Sequence, residues 1–171
     1  MKKIFLDELY AITHPNIMVG DISADRGDVG FKYIRNLYPG CYNCYATKKN
    51  DIFTSIEMVL TGCEMAEIAE EKMKDDKNWK KYPGEIIVTS GSAGFFISKP
   101  KFDERHWYEL SDWEYAQTLE NPEKGDAHFK YFYNGGCGAW CRAGYGDGDY
   151  PLYVIRENGK IIAMKIAFEE D

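Results

Sequence analysis

Tyr150-Pro-Leu-Tyr-Val-Ile-Arg-Glu-Asn-Gly-Lys-Ile-Ile-Ala-Met-Lys-Ile-Ala-Phe168 is the stretch whose reading decides the fold. Two apolar-rich runs, Tyr150–Arg156 and Lys160–Phe168, flank Glu157-Asn158-Gly159. Asn and Gly both tolerate positive φ, which a two-residue turn between right-twisted strands demands, so the segment predicts a β-hairpin. Directly upstream lies a glycine-rich run, Gly135–Tyr150, Gly-Gly-Cys-Gly-Ala-Trp-Cys-Arg-Ala-Gly-Tyr-Gly-Asp-Gly-Asp-Tyr. It reads as a glycine-shaped bulge or turn that feeds the first strand of the hairpin.

Further upstream the same strand signals recur. Ile4, Phe5, Leu9, Tyr10 and Ile12 suit a short element packed on the body, and His14-Pro15-Asn16 breaks the chain after it. Asn16–Gly20 reads as a buried strand, 21–30 as a polar loop, and Cys41–Thr47 as a strand after the Pro39-Gly40 turn. Residues 51–60 fit helical spacing from an Asp51 cap, but also alternate apolar with polar; the strand reading, ended by Gly62, is preferred. Glu64–Lys74 is dense in helix formers and is the clearest helix. Asp75–Pro83 reads as a charged connector. Glu85–Thr89 and Phe95–Ile97 read as strands of one hairpin, or one sharply bulged strand, through Ser90–Gly94. A second helix is expected over 112–119 with Ser111 or Asp112 as its cap, then a loop over 121–126 and a strand over Phe129–Tyr133.

No βαβ rhythm appears, so the sheet is expected to be mainly antiparallel. The fold class is α+β, β-rich, a β-sandwich or open barrel with about two helices. The length of 171 residues suits a single globular domain, 1–171. Aromatic residues make up 15%, with 13 Tyr, and that excess favours strands and supplies rigid contact area of the kind enriched at interfaces.

The formal charge is −7, and the one lysine-rich stretch, Lys72–Lys81, is interrupted by Asp75 and Asp76. A nucleic-acid partner or an anionic membrane needs a basic patch, so neither is expected. No apolar run is long enough to cross a bilayer, and Asp7 and Glu8 spoil a leader-type apolar run. Five cysteines without such a leader read as reduced thiols of a cytoplasmic protein.

The chemistry-bearing residues fall into four groups. Cys41-Tyr-Asn-Cys44 and Cys137/Cys141 could supply four thiolates to one zinc if the fold joined them. In a strand, however, Cys41 and Cys44 point to opposite faces, so buried free thiols are the expected state and no cofactor is implied. Gly135–Gly148 lacks the spacing of a phosphate loop, and Asp147 with Asp149 falls short of a calcium loop. Ser90-Gly91-Ser92-Ala93-Gly94 departs from the nucleophile-elbow pattern. His14, His106 and His128 are isolated, which favours surface or capping roles.

Taken in order, Val19-Gly20-Asp21, Pro39-Gly40-Cys41-Tyr42, Ser90-Gly91-Ser92-Ala93-Gly94-Phe95-Phe96 and Gly144-Tyr-Gly-Asp-Gly-Asp-Tyr150 resemble a family of small bacterial proteins that carries a domain-of-unknown-function label. The closing Gly159-Lys-Ile-Ile-Ala-Met-Lys-Ile-Ala-Phe168 matches its last strand. Ser90 stands where that family often has Asp, and Ala143 where it often has Ser. The resemblance implies a fold and brings no activity or cofactor.

The expected function is a non-enzymatic interaction module, with a protein partner suited to the acidic balance and abundant tyrosine. An antidote or accessory to another bacterial protein is one such role. The alternative is a hydrolase or small-ligand enzyme with its site between the 90–94 and 144–149 turns. That alternative predicts a concave pocket near Ser90, Ser92, Tyr145 and Asp147.

Overall fold

The computed structural model describes residues 1–11 and 16–169; Ile12, His14 and Pro15 lie outside the described residues. The chain runs β1 (Lys2–Ala11), β2 (Ile17–Asp21), β3 (Lys32–Ile34), β4 (Gly40–Lys49), β5 (Ile52–Thr61) and α1 (Glu64–Met73). It continues through β6 (Lys80–Val88), β7 (Ser92–Ile97), α2 (Glu104–Glu120), β8 (Ala127–Tyr131), β9 (Cys137–Arg142), β10 (Gly148–Glu157) and β11 (Lys160–Ala167). The strands form a six-stranded sheet, β1-β4-β5-β11-β10-β6, and a five-stranded sheet, β3-β2-β7-β9-β8. All ladders between these strands are antiparallel, and neither sheet closes on itself. The architecture is a β-rich α+β sandwich, one of the two forms that the sequence predicts.

The β10–β11 hairpin forms as the sequence demands. Glu157 pairs with Lys160, so the connection is Asn158-Gly159, with φ of 51° and 78°. Residues 51–60 are strand, for a reason visible in the register. Ile56, Met58 and Leu60 pair with Ala46, Cys44 and Tyr42 and enter the core between the sheets, which a helix of the same residues could not reproduce. From the five-stranded sheet, Val19, Phe95, Ala139 and Cys141 complete that core.

The two helices pack by opposite means. Helix α1 lies on the outer face of the six-stranded sheet over β5 and β11, and its buried residues are Ala66 and Ala69, so it sits close. Helix α2 covers the outer face of the five-stranded sheet through large rings: Leu110 is buried, and Trp107 and Trp113 pack with Phe96, Phe132 and Trp140. Trp140 stacks on Phe96 at 6.3 Å and on Phe132 at 6.1 Å, within the range of favourable ring pairing. Glycine makes room for this layer. Gly94 faces Trp140 and Gly138 faces Phe96 across the ladders, and a Cβ at either would collide with Trp140 or the Phe96 ring.

Four expectations are corrected. The segment 85–97 is neither a hairpin nor one strand. Strand β6 ends in the six-stranded sheet against β10, whereas β7 lies in the other sheet between β2 and β9, so residues 89–91 cross the sandwich. The connector 75–83 holds a short 3-10 turn and the first residues of β6. Pro83-Gly84 did not stop that strand because β6 is an edge, and the register shift opposite Pro151/Tyr153 absorbs both residues. Helix α2 begins eight residues before the expected 112, capped by Asp103, whose carboxylate accepts from His106 N at 2.8 Å. Finally, the glycine-rich run is not only a turn. Cys137–Arg142 is a central strand whose one glycine, Gly138, serves close packing, and it lies between the turn that ends at Gly135-Gly136 and the turn at 143–147.

Candidate functional site

The 90–94 and 144–149 turns do come together. Ala143 N donates to Gly91 O at 2.8 Å, and Gly148 pairs with Val88. Their contact is made of backbone, however, and none of the five grooves described for the molecule is lined by Ser90, Ser92, Tyr145 or Asp147. Tyr145 and Asp147 are exposed, and the turn is stitched by Tyr150, whose hydroxyl donates to Gly146 O at 2.7 Å.

What organises this corner is Asp21, at the end of β2 and 1% exposed. Its carboxylate accepts from Ser23 N, Ser23 Oγ, Thr89 N and Ser90 Oγ at 2.6 Å, from Ser90 N at 2.8 Å and from Thr89 Oγ1 at 3.4 Å. Burial by itself raises the Asp21 pKa; the donors from Ser23, Ser90 and Thr89 outweigh it and hold the carboxyl below the usual range. Ser90 is thus a donor that locks the crossing between the sheets.

The four paired cysteines do not assemble. Cys44 points into the core, and Cys41 lies half-buried on the opposite face of β4. Cys137 and Cys141 also enter the core from β9. Burial pushes the Cys44 and Cys141 thiols up and takes Cys137 to about 11, which favours the protonated form. All five cysteines are free thiols, and among the described residues no group of three His, Cys, Asp or Glu side chains could hold a metal ion.

The broadest grooves lie on the outer face of the six-stranded sheet, and they are lined largely by that face's own paired charges. Lys3 pairs with Glu57 at 3.1 Å, Lys81 with Glu85 at 2.5 Å, and Lys165 stacks on Trp79 at 4.5 Å.

A different groove runs between α2 and β8. The loop 121–126 makes the two elements antiparallel neighbours. A cleft of about 390 Å³ lies where Phe102, Leu110 and Trp113 meet Phe132 and Tyr133, with Glu109 and Lys130 at its sides. A smaller hollow of about 160 Å³ continues along the start of β8, with Gln117, Asn121 and Lys124 on one wall and Ala127 and Phe129 on the other. Trp113 is the wall the two hollows share, Leu6 and Asp7 of β1 also line the smaller one, and together the hollows make a trough along α2 and β8. His106 stacks on Tyr133 at 4.1 Å, and Lys130 lies over Trp113 at 4.5 Å, which stiffens the walls.

Beneath the trough sits a polar cluster. Glu114 accepts from Trp140 Nε1 at 3.4 Å, and its carboxylate lies 3.8 Å from His128 Nε2. Burial pushes the Glu114 carboxyl up and His128 down to about 4, so the imidazole is neutral at pH 7 and the two are not an ion pair. His128 Nε2 is buried and has no hydrogen-bond partner among the described residues. The surface role expected for His128 is therefore corrected: its place in β8 opposite Trp140 turns the ring under α2. His106, by contrast, does sit at the α2 cap, with Nδ1 at 2.7 Å from Asp103.

Sequence reasoning missed Asp21, Glu114, His128, Trp113 and Trp140. The one available signal was Asp21-x-Ser23 at a strand end, the pattern of a side chain that caps its own turn. The others share a site only because α2 folds back along β8. Set against family models, curated proteins and solved structures, the chain matches none, and the groove's own geometry carries the functional reading.

Proposed function

We propose that the protein is a binding module that holds a protein partner in the trough between α2 and β8. The observation that carries this reading is an aromatic-lined cleft that stays open among the described residues: Phe102, Trp113, Phe132 and Tyr133 wall about 390 Å³. Rigid aromatic surface beside a half-wet cleft is the composition of an interaction hot spot, because the rings bury large area at low entropic cost. Tyr131 and Tyr133 extend that surface at the rim, each 60% exposed.

Photo-crosslinking tests it. A photoreactive amino acid replacing Glu109 or Tyr133 is expected to trap the same protein in cells, while one replacing the exposed Glu71, in α1 on the other sheet, traps nothing in common. Trp113→Ala is expected to abolish the adduct. Equal capture from Glu71, or none from the trough, defeats the reading.

A further inference from the structure

We infer that the partner binds as an extended, net-basic segment that adds to β8 as a further strand, a deepening that rests on the binding-module reading. The sandwich has four edge strands, and three are blunted. Strand β1 carries a bulge at Phe5/Asp7 and outward charges, including Lys3 and Glu8. Strand β6 is interrupted by Pro83-Gly84, and β3 is three residues long. These are the ordinary protections against a foreign strand. Strand β8 has none of them. It keeps unbroken register with β9 over Ala127–Tyr131, contains no Pro or Gly, and its one charge, Lys130, is folded onto Trp113.

The ladder shows which groups await a partner. Arg142 N donates to Asp126 O and Phe132 N to Gly136 O, so the even-numbered residues between turn their backbone groups to β9. By antiparallel alternation, Ala127, Phe129 and Tyr131 turn N–H and C=O outward, and among the described residues the sheet ends there. Main-chain bonds to such an edge supply affinity, and neighbouring pockets select side chains. Here the aromatic cleft beside Lys130–Tyr133 would take one bulky apolar side chain.

Charge selects the occupant. The trough lining itself is balanced, Glu109 against Lys130 and Asp7 against Lys124. Its helical wall is not: α2 carries Glu104, Glu109, Asp112, Glu114 and Glu120 against Arg105. The whole chain is −7, so the field over the edge favours a basic segment and disfavours a second copy, whose own acidic helix would be brought alongside.

The test uses a displayed library of random peptides about ten residues long, the upper range of a strand, panned on the intact protein. Enriched peptides are expected to carry net positive charge and one bulky apolar residue. They should bind about tenfold or more tighter than versions with Lys and Arg replaced by Glu. Tyr131→Pro deletes one outward N–H without touching the β9 ladder, and is expected to weaken binding about tenfold, whereas Tyr131→Ala, which keeps that N–H, weakens it much less. As a check that does not depend on the variant's folding, the amides of Ala127, Phe129 and Tyr131 in the unaltered protein should gain exchange protection on peptide binding. An acidic or neutral enriched pool, equal loss in the two Tyr131 variants, or unprotected amides overturns strand addition. If crosslinks from the trough persist alongside any of those results, the binding-module reading stands without it; if they vanish too, both fall. A dimer abolished by Tyr131→Pro makes a second copy the occupant and overturns the assignment to a basic partner.

Discussion

Two carboxylates, one buried and one half-buried, lie against the five-stranded sheet, and they are treated in opposite ways. At the end of β2, Asp21 is met by six donors from Ser23, Thr89 and Ser90. Under α2, Glu114 receives one long bond from Trp140, and its neighbour His128 leaves Nε2 without a partner among the described residues. Burial pushes both acids toward the neutral form, so burial does not separate them. Hydrogen bonding does: Asp21 is held ionised and its pKa falls, while that of Glu114 rises. A fully satisfied carboxylate fixes architecture, here the crossing of the chain from one sheet to the other. A sparsely satisfied pair contributes little to the fold and lies where the molecule has kept its open aromatic trough.

That contrast can be broken by experiment, beginning with the largest effect. Asp21→Ala strips the acceptor from Ser23, Thr89 and Ser90 and is expected to cost about 3 kcal/mol in urea unfolding. A cost under about 1 kcal/mol would mean that water satisfies those donors as well as the carboxylate does.

The acid limb of stability comes next. His128 has its pKa lowered from about 6.5 when unfolded to about 4 in the fold, so the unfolded chain takes up the proton first. Stability is therefore lost as pH falls through that window, by about 2 kcal/mol between pH 7 and 5. His128→Leu should flatten this slope. Glu114, with its pKa raised, works in the other direction, and Glu114→Gln should steepen the fall. The contribution of Asp21 is fully present above its unfolded value near ~3.9 and disappears only as pH drops through its lower folded value. Asp21→Asn should therefore change the profile below the His128 window and leave the slope within it alone.

Two smaller effects sharpen the comparison. Ser90→Ala removes one hydroxyl donor while the backbone donors remain, and should cost about 1.5 kcal/mol at neutral pH. His128→Leu at pH 7 removes a polar group that has no partner and should stay within about 1 kcal/mol of the parent. If His128→Leu proved the costlier of the two, the imidazole would be structural, and the division between an architectural and a spare polar site would collapse.

Much of the fold was legible. The Asn158-Gly159 hairpin, the helix at 64–73 and the strands at 17–21 and 40–49 announce themselves through local periodicity or turn chemistry, while 52–61 fits helical and strand spacing alike. The misreadings have specific causes. Pro83-Gly84 signals a break, yet an edge strand needs no N–H there. Gly138 and Gly94 signal turns, yet serve to admit Phe96 and Trp140. Asp103 was overlooked because the first turns of α2 are aromatic and lack the pattern of a helix start.

The candidate site was far less legible, since each of its walls is ordinary in isolation. Trp113 and Lys130 look like a core residue and a surface charge until α2 lies along β8 and one stacks on the other. By itself the sequence determined most of the secondary elements, the antiparallel β-rich class and the acidic balance, because propensity, alternation and charge act over a few residues or over the whole composition. Only the tertiary structure decided which sheet each strand joined, which carboxylate was satisfied, and which edge was left open. Those outcomes depend on contacts between residues far apart in the chain, such as Asp21 with Ser90 or Glu114 with Trp140, and no local pattern encodes them.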